Sequence, residues 1–391
     1  MPTTSGIGYS KGEDAFLACK EAVQQAMKDI SDPDLVIVFS SVKYDQEKML
    51  EGVVSVSGVV PLIGCSDAGE ITNLGSNKEG VAVMAIKSDS IKFTLAVGGD
   101  IAGGARNAGQ KLIKELLVMD KDIKCVIVLT DVLKDNGADV VRGIQDVAGQ
   151  NFLILGGAAG DDFKFQETFV YLNGKVFPSH LVGVGLSGDF SIGVGVRHGW
   201  EPIGLPKTVT KSKGAVIEEI ENKPAIQIYE DYFGKKAEEL KSEPLAVMAI
   251  TYPLGMNVEG SDELLIRDPI TVGENGSITC AAEIPEGSKI RLMLGSKEHA
   301  IEAAKAAAGQ ARAQLGSKEP KAIIVFNCIA RNKLFGKHAT EEINAMQSIL
   351  GEDVPIIGFY TYGEQAPLGG NMQKKFSCFH NETAVVVVLG D

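Results

Sequence analysis

The sequence is poor in every feature that marks a membrane span, a disulfide scaffold or a nucleic-acid surface. Its longest apolar runs, such as AVVVVL at 384–389, are strand-sized, well short of the roughly 20 residues that a membrane helix needs. The opening MPTTSGIGYSKGEDAF has no basic start followed by an apolar core, which predicts a cytoplasmic protein without a signal peptide. The six cysteines form no C-x-x-C pair and read mainly as small buried hydrophobes. The five histidines fall in no H-x-x-x-H or H-E-x-x-H pairing, which argues against zinc. Aromatics are sparse at 6%, no aromatic and basic stripe is present, and the net charge is −13. These argue against a nucleic acid or an anionic membrane surface as the main partner.

What is present is repetition. At 391 residues, 45% apolar and 23% charged, the chain has an ordinary globular composition and is too long for one core, so two domains are expected. PLIGCSDAGE (61–70), LILGGAAGDD (153–162) and PIIGFYTYGE (355–364) are three versions of one phrase. Each follows the same order of a glycine-bearing start, a helix, a β-branched run and a second helix. The starts are SGIGYS, LAVGGD and LMLGSKE, with helices expected at 12–29, 103–119 and 297–315. Phe16, Cys19, Val23 and Met27 share one face of the first helix, and Ala105, Ala108, Leu112 and Leu116 one face of the second. Ala300, Ala304, Ala308 and Ala311 suit a third helix packed close to its neighbour. The runs LVIVFSS (35–41), CVIVLTD (125–131) and AIIVFNC (322–328) are apolar throughout, as strands covered on both faces are.

The predicted class is therefore α/β: repeated β-α-β-α-β modules with largely parallel core strands, antiparallel strand pairs and an inserted α+β segment. The antiparallel pairs are expected at 80–86 with 91–99 and at 181–188 with 190–196. The third module's 383–390 lacks such a partner and is expected to take the N-terminal GIGYS, bringing the termini together. Prolines and glycines in GWEPIGLPKTVTKSKG mark a junction. The division is then 1–199, holding modules 1–99 and 100–199, and 200–391, holding the insertion 200–290 and a third module 291–391. Within the insertion, strands are expected near 206–211, 215–220, 246–252, 262–268, 276–282 and 288–294, and a helix near 224–234.

LIGCSDAGEI, LILGGAAGDDF, LPKTVTKSKGAVIEEIENKPA, VFNCIAR, GFYTYGEQAP and FHNETAVVVVLG resemble the signatures of the FIST family, whose N and C domains occur together. The resemblance runs over about 30–220 and 220–370. It implies a sensory module for small ligands, amino acids among them, here without a fused output domain and so signalling through a separate partner protein. Some bacterial members of the family resemble haem-binding sensors of nitric oxide, so haem is the alternative cofactor, with His380 or His198 as its axial ligand.

Ligand sites in open sheets lie outside the carboxyl ends of parallel strands, where the phrases fall. Gly156, Gly157 and Gly363 would let backbone N–H groups approach a ligand. Glu70, Asp161 and Glu364, each directly after a glycine, would take an ammonium, and Arg331 a carboxylate. Tyr360 and Tyr362 would form an amphipathic wall; Asn327, Cys328, Cys65 and Ser66 complete the candidate set. The same acids also read as turn caps, and Arg331 as the partner of Glu341 or Glu342. None of the phrases carries G-x-G-x-x-G, and no P-loop is present, which disfavours NAD and ATP. Cys328 as an enzyme nucleophile is a further alternative, without an identifiable base. Closure of the two halves over the ligand is expected about a hinge near 199–206.

Overall fold

The computed structural model describes residues 2–133, 136–234, 245–261 and 263–391. Three of its four sheets follow one six-stranded plan. At the centre of each is a parallel pair: Leu35–Ser40 with Leu62–Ser66, Cys125–Thr130 with Leu153–Ala158, and Pro320–Cys328 with Ile356–Thr361. A crossover helix joins each pair, Gln46–Ser57, Gly137–Ala148 or Ala339–Leu350. The outer half of each sheet is antiparallel: Val81–Lys87 then Thr4–Ser10, His180–Gly188 then Ile91–Asp100, Ala384–Gly390 then Ser191–Arg197. The other edge of each sheet is a hairpin given by a different module. Phe169–Leu172 and Lys175–Pro178 complete the first sheet, Glu364–Pro367 and Ser377–His380 the second, and Glu70–Thr72 and Gly75–Ser76 the third. The exchange is cyclic, so no module owns its whole sheet.

Local chemistry sets the helix ends. Asp14, Asp45, Asn136 and Ser296 each turn a side-chain oxygen onto a backbone N–H of the first helical turn, satisfying donors that the helix itself cannot. The helix Ala15–Ala26 lies directly on the backbone of Thr4–Ser10, and Lys297–Gln314 on that of Ser191–Arg197. A Cβ on Gly6 or Gly8 would sit 2.1 or 1.9 Å from the carbonyl oxygens of Ala26 and Ala22, and one on Gly193 or Gly195 1.9 or 1.7 Å from those of Ala311 and Ala307. The alanine stripe of the third module is the other half of this contact.

The phrases meet at the centre. Ser66 O accepts from Gly160 N at 2.9 Å, Ala158 O from Tyr362 N at 3.1 Å, and Tyr360 O from Ala68 N at 3.1 Å. These are corresponding atoms of the three phrases, linked module to module in a ring. The phrase recurs because each copy must end one sheet and cross to the next.

Several expectations are corrected. Segments 80–86 and 91–99 do not pair: Val81–Lys87 lies in the first sheet and Ile91–Asp100 in the second, and 181–188 and 190–196 are likewise split between the second and third sheets. Each short connection hands the chain on to the next module. The third module therefore begins at Ser191–Arg197, and the insertion interrupts it before its first helix; RLMLGS belongs to the fourth sheet as Lys289–Leu294. The N-terminal strand pairs with Val81–Lys87, not with 383–390, yet the termini do meet, with Thr3 N donating to the Asp391 carboxylate at 2.5 Å. The run at 246–252 starts as a helix, Leu245–Ala249, in keeping with its Ala, Leu and Met content. The strand expected at 262–268 begins on residue 262, outside the described residues, and is seen as Leu265–Arg267. No hinge separates the halves near 199–206, because Glu201–Lys213 is a strand and one apolar core runs from Leu35 and Phe39 through Leu129 and Leu155 to Phe326 and Val387. The G-x-G-x-x-G spacing from Gly183 to Gly188 lies inside an antiparallel strand, not at the strand-to-helix turn that a dinucleotide needs.

Candidate functional site

Where the parallel strands of the second and third modules end against the insertion, the fold encloses a cavity of ≈ 260 Å³. Val132 and Leu133 follow one strand end, and Cys328, Ile329 and Ala330 turn from another into the helix Ile329–Phe335. Phe163 and Phe165 close it from the loop after Leu153–Ala158, Tyr362 from the third phrase, and Ala246, Ile250, Pro269, Ile270 and Ala281 from the insertion. The lining is apolar except at Asp268 and Asn381, together with the Cys328 thiol and the Tyr362 hydroxyl.

Both of those polar residues are unsatisfied. Asn381 is buried, and its Oδ1 has no hydrogen-bond partner; Asp268 keeps some accessible surface, yet its Oδ1 is enclosed and equally unpartnered. Burial pushes the Asp268 carboxyl up to about 7, opposed in part by the nearby charge of Arg267. Burial, and then the charge of Asp268, hold Glu382 well above the usual carboxylate range. Both oxygens of the Glu382 carboxyl are likewise buried without a hydrogen-bond partner. Glu382 adopts φ 56°, a left-handed conformation that costs a non-glycine residue on the order of 1 kcal/mol and marks a functional or over-determined position. Glu364 lies nearby, also raised by burial, accepting from Thr361 Oγ1 and, at 3.2 Å, from Thr383 N.

Arg331 is fully enclosed. It meets Glu342 through Nε at 2.8 Å and Nη2 at 2.5 Å, donates to the carbonyls of Ala300, Glu382 and His198, and stacks on Trp200 at 5.4 Å. Asn327 Nδ2 donates to the second oxygen of Glu342 at 2.7 Å. The guanidinium and its neighbours thus bind together the third module and the insertion. For Cys328, burial and then the carboxylates Glu364, Asp268 and Glu382 raise the thiol well above its ordinary value, so it stands in the cavity wall as a neutral thiol.

Asp161 organises the cavity's outer wall. Its carboxylate accepts from the backbone N–H groups of Lys164, Phe165, Gln166 and Glu167 at 3.1, 2.8, 2.6 and 3.1 Å, and from the Tyr362 hydroxyl. Phe165 stacks on Tyr362 with centroids 4.5 Å apart, and Phe163 meets Phe165 edge-on at 4.9 Å. Asp162, Phe163 and Phe165 have φ of 54, 67 and 54°, and the carboxylate holds the last of these strained residues directly through its N–H.

The remaining sequence candidates lie elsewhere. Glu70, pushed up to about 7 by burial, accepts from Gly80 N at 2.6 Å within the first module. Ser66 Oγ donates to Gly160 O at 2.7 Å and accepts from Phe169 N at 2.9 Å, tying the exchanged hairpin in place; Cys65 is buried in the same strand. A Cβ on Gly156, Gly157 or Gly363 would collide with Val128, Thr361 or Phe379 at 1.9, 2.6 or 2.1 Å, so these glycines permit strand crossing. Tyr360 is buried and pairs through its backbone with Ala68 and Gly69. His380 is neutral, lowered by burial to about 4, with Nε2 3.0 Å from Ala366 O. His198 Nδ1 accepts from Trp200 N at 2.9 Å, and its Nε2 lies 3.3 Å from Glu263. Neither histidine lines the cavity.

Of the residues around the cavity, Cys328, Tyr362 and Asp161 are sequence candidates that the fold brings together, with Glu364 and Arg331 close behind. Asp268, Asn381, Glu382, Phe163 and Phe165 were missed as site residues. Asn381 and Glu382 stand in the motif FHNET, a signal that was present; Asp268, before a proline in a strand-rich stretch, gave none.

The chain matches the FIST N domain over residues 34–223 and the FIST C domain over 225–367. An uncharacterized protein of Mycobacterium tuberculosis is 27% identical over 406 aligned positions, covering 99% of each chain. One of Methanocaldococcus jannaschii is 26% identical over 220, covering 54% of this chain and 42% of its own. Among solved structures, a cyanuric acid hydrolase aligns over 100% of both chains with a TM-score of 0.37 and 9% identity, a likeness too distant to carry any functional argument. The two domain matches together span most of the sequence, and the protein belongs to the FIST family, whose domains are small-ligand sensory domains.

Proposed function

We propose that the protein senses a compact, mostly apolar amine, held in the cavity between the second and third modules with its ammonium against Asp268. One observation carries this reading: the two unpartnered polar atoms of the lining, Asp268 Oδ1 and Asn381 Oδ1, are both acceptors. A ligand that satisfies them must bring donors, and an ammonium is a donor-only group. The aromatic wall of Phe163, Phe165 and Tyr362 suits an organic cation. An α-amino acid is the weaker candidate. Its ammonium finds a partner, but its carboxylate meets no cationic side chain among the described lining residues, and Arg331 is already engaged. The signal would pass to a separate partner protein through the loop 159–168, whose two phenylalanines form the cavity wall and also reach the surface.

Isothermal titration of alkylamines and of the alcohols of the same shape tests this. The reading requires amines to bind, alcohols to bind at least about 10-fold more weakly, and Asp268→Asn to remove the difference. Equal binding of amine and alcohol, or no binding of either, overturns it.

A further inference from the structure

The mouth of the cavity carries a cation with no counter-ion among the described residues. Lys333 follows the lining residues Ile329 and Ala330 by four and three positions on the helix Ile329–Phe335, which places it on the same face one turn, about 5.4 Å, further out. Its Nζ sits 4.1 Å from the ring centroid of Phe163, itself a lining residue. Lys333 is exposed and makes no ion pair among the described residues, and the nearby charge of Lys78 acts with burial to weaken its hold on its proton. In a chain with 51 acidic against 38 basic residues, an ammonium that faces a ring and another lysine is left for an anion from outside.

We infer that the ligand is a straight-chain ω-amino acid, its ammonium at Asp268 in the cavity and its carboxylate at Lys333 at the mouth. This rests on the amine reading above and adds the second end of the molecule. An α-amino acid cannot meet both groups, because its two charges sit on one carbon. An ω-amino acid separates them by its methylene chain, a group that suits a lining that is otherwise mostly apolar.

The test compares 4-aminobutanoate, 5-aminopentanoate and 6-aminohexanoate with propylamine, butylamine and pentylamine by isothermal titration, with 2-aminopentanoate as the α control. At least one ω-amino acid binds about 3- to 5-fold more tightly than its matched amine, the range of an exposed ion pair, and more tightly than the α isomer. In Lys333→Gln that ratio falls to about one, and in wild type it shrinks as salt is raised. A ratio of one in wild type, or one that persists in Lys333→Gln, overturns this inference and leaves the amine reading standing. Failure of both series to bind overturns both.

Discussion

The hydroxyl of Tyr362 donates to the carboxylate of Asp161, so the third phrase holds the loop that follows the second. Because the same carboxylate carries four backbone N–H groups, Asp161→Asn should release the loop far more than it lowers global stability. The expected outcome is a rise of about 10-fold or more in amide exchange over 163–167, with a fall in melting temperature of only a few degrees. Hydrogen exchange with mass spectrometry checks it; unchanged exchange in the loop would show that the carboxylate does not hold it.

Arg331 joins elements on three sides, and its removal leaves Glu342 buried without its cation. Arg331→Ala should cost about 3–5 kcal/mol in urea unfolding. Arg331→Lys should recover little, since a lysine cannot reproduce the fork that meets Glu342 and the Ala300 carbonyl. A loss under about 1 kcal/mol would contradict the structural part assigned to this side chain.

Two glycines should respond in opposite directions. Gly195→Ala drives a methyl against the Ala307 carbonyl, 1.7 Å from an ideal Cβ, and should destabilise by about 1–3 kcal/mol. Gly309 lies inside the helix Lys297–Gln314 with nothing within 4 Å of an added Cβ, so Gly309→Ala should stabilise by about 0.5–1 kcal/mol. Melting temperatures of the pair, measured together, check both signs.

Stability should rise as pH falls from about 7 toward 4. Asp268 and Glu70 are each raised to about 7 in the fold, from 3.8 and 4.5, and burial also raises Asp67, Glu364 and Glu382 well above the usual carboxylate range. A group whose folded pKa is raised binds its proton more tightly when folded, so its contribution is full below its unfolded pKa and is lost as pH climbs through the folded one. His380, lowered from 6.5 to about 4, works the other way over the same window, one group against five. Below that window Asp120 and Asp146, both held down to about 2, reverse the trend. Thermal melts from pH 4 to 8 should slope downward with pH, less steeply in Asp268→Asn; a flat or rising profile would contradict the buried acids.

Much of the architecture was legible in the sequence because it was written in periodicity. The stripe Ala105, Ala108, Leu112 and Leu116 is buried on the helix Ala105–Met119, and the continuous run at 125–131 is a strand covered on both faces. The exchanged hairpin at 169–178 also had its signal, Asn173-Gly174, with both φ positive at 49 and 74°, the turn that tight hairpins favour. Which sheet that hairpin joins was not legible, since pairing across about a hundred residues is settled by the shape of the whole core. The cavity was hidden for the same reason. Asp268 is an ordinary polar residue until the insertion folds it against Asn381 and Cys328, and Arg331 looks like a ligand clamp until Glu342 arrives beside it.

The cyclic hairpin exchange bears on how this chain can be divided. The boundary between the two family domains, near residue 224, passes between segments that lend secondary structure in both directions. The first module's hairpin completes the third sheet, and the third module's hairpin completes the second. Sequence domains are here not units of folding: each half made alone would bare strand edges that its counterpart normally caps, inviting self-association. Joining Asp391 to Thr3 and cutting elsewhere keeps every pairing intact, so a circular permutant should survive where a bisected protein does not.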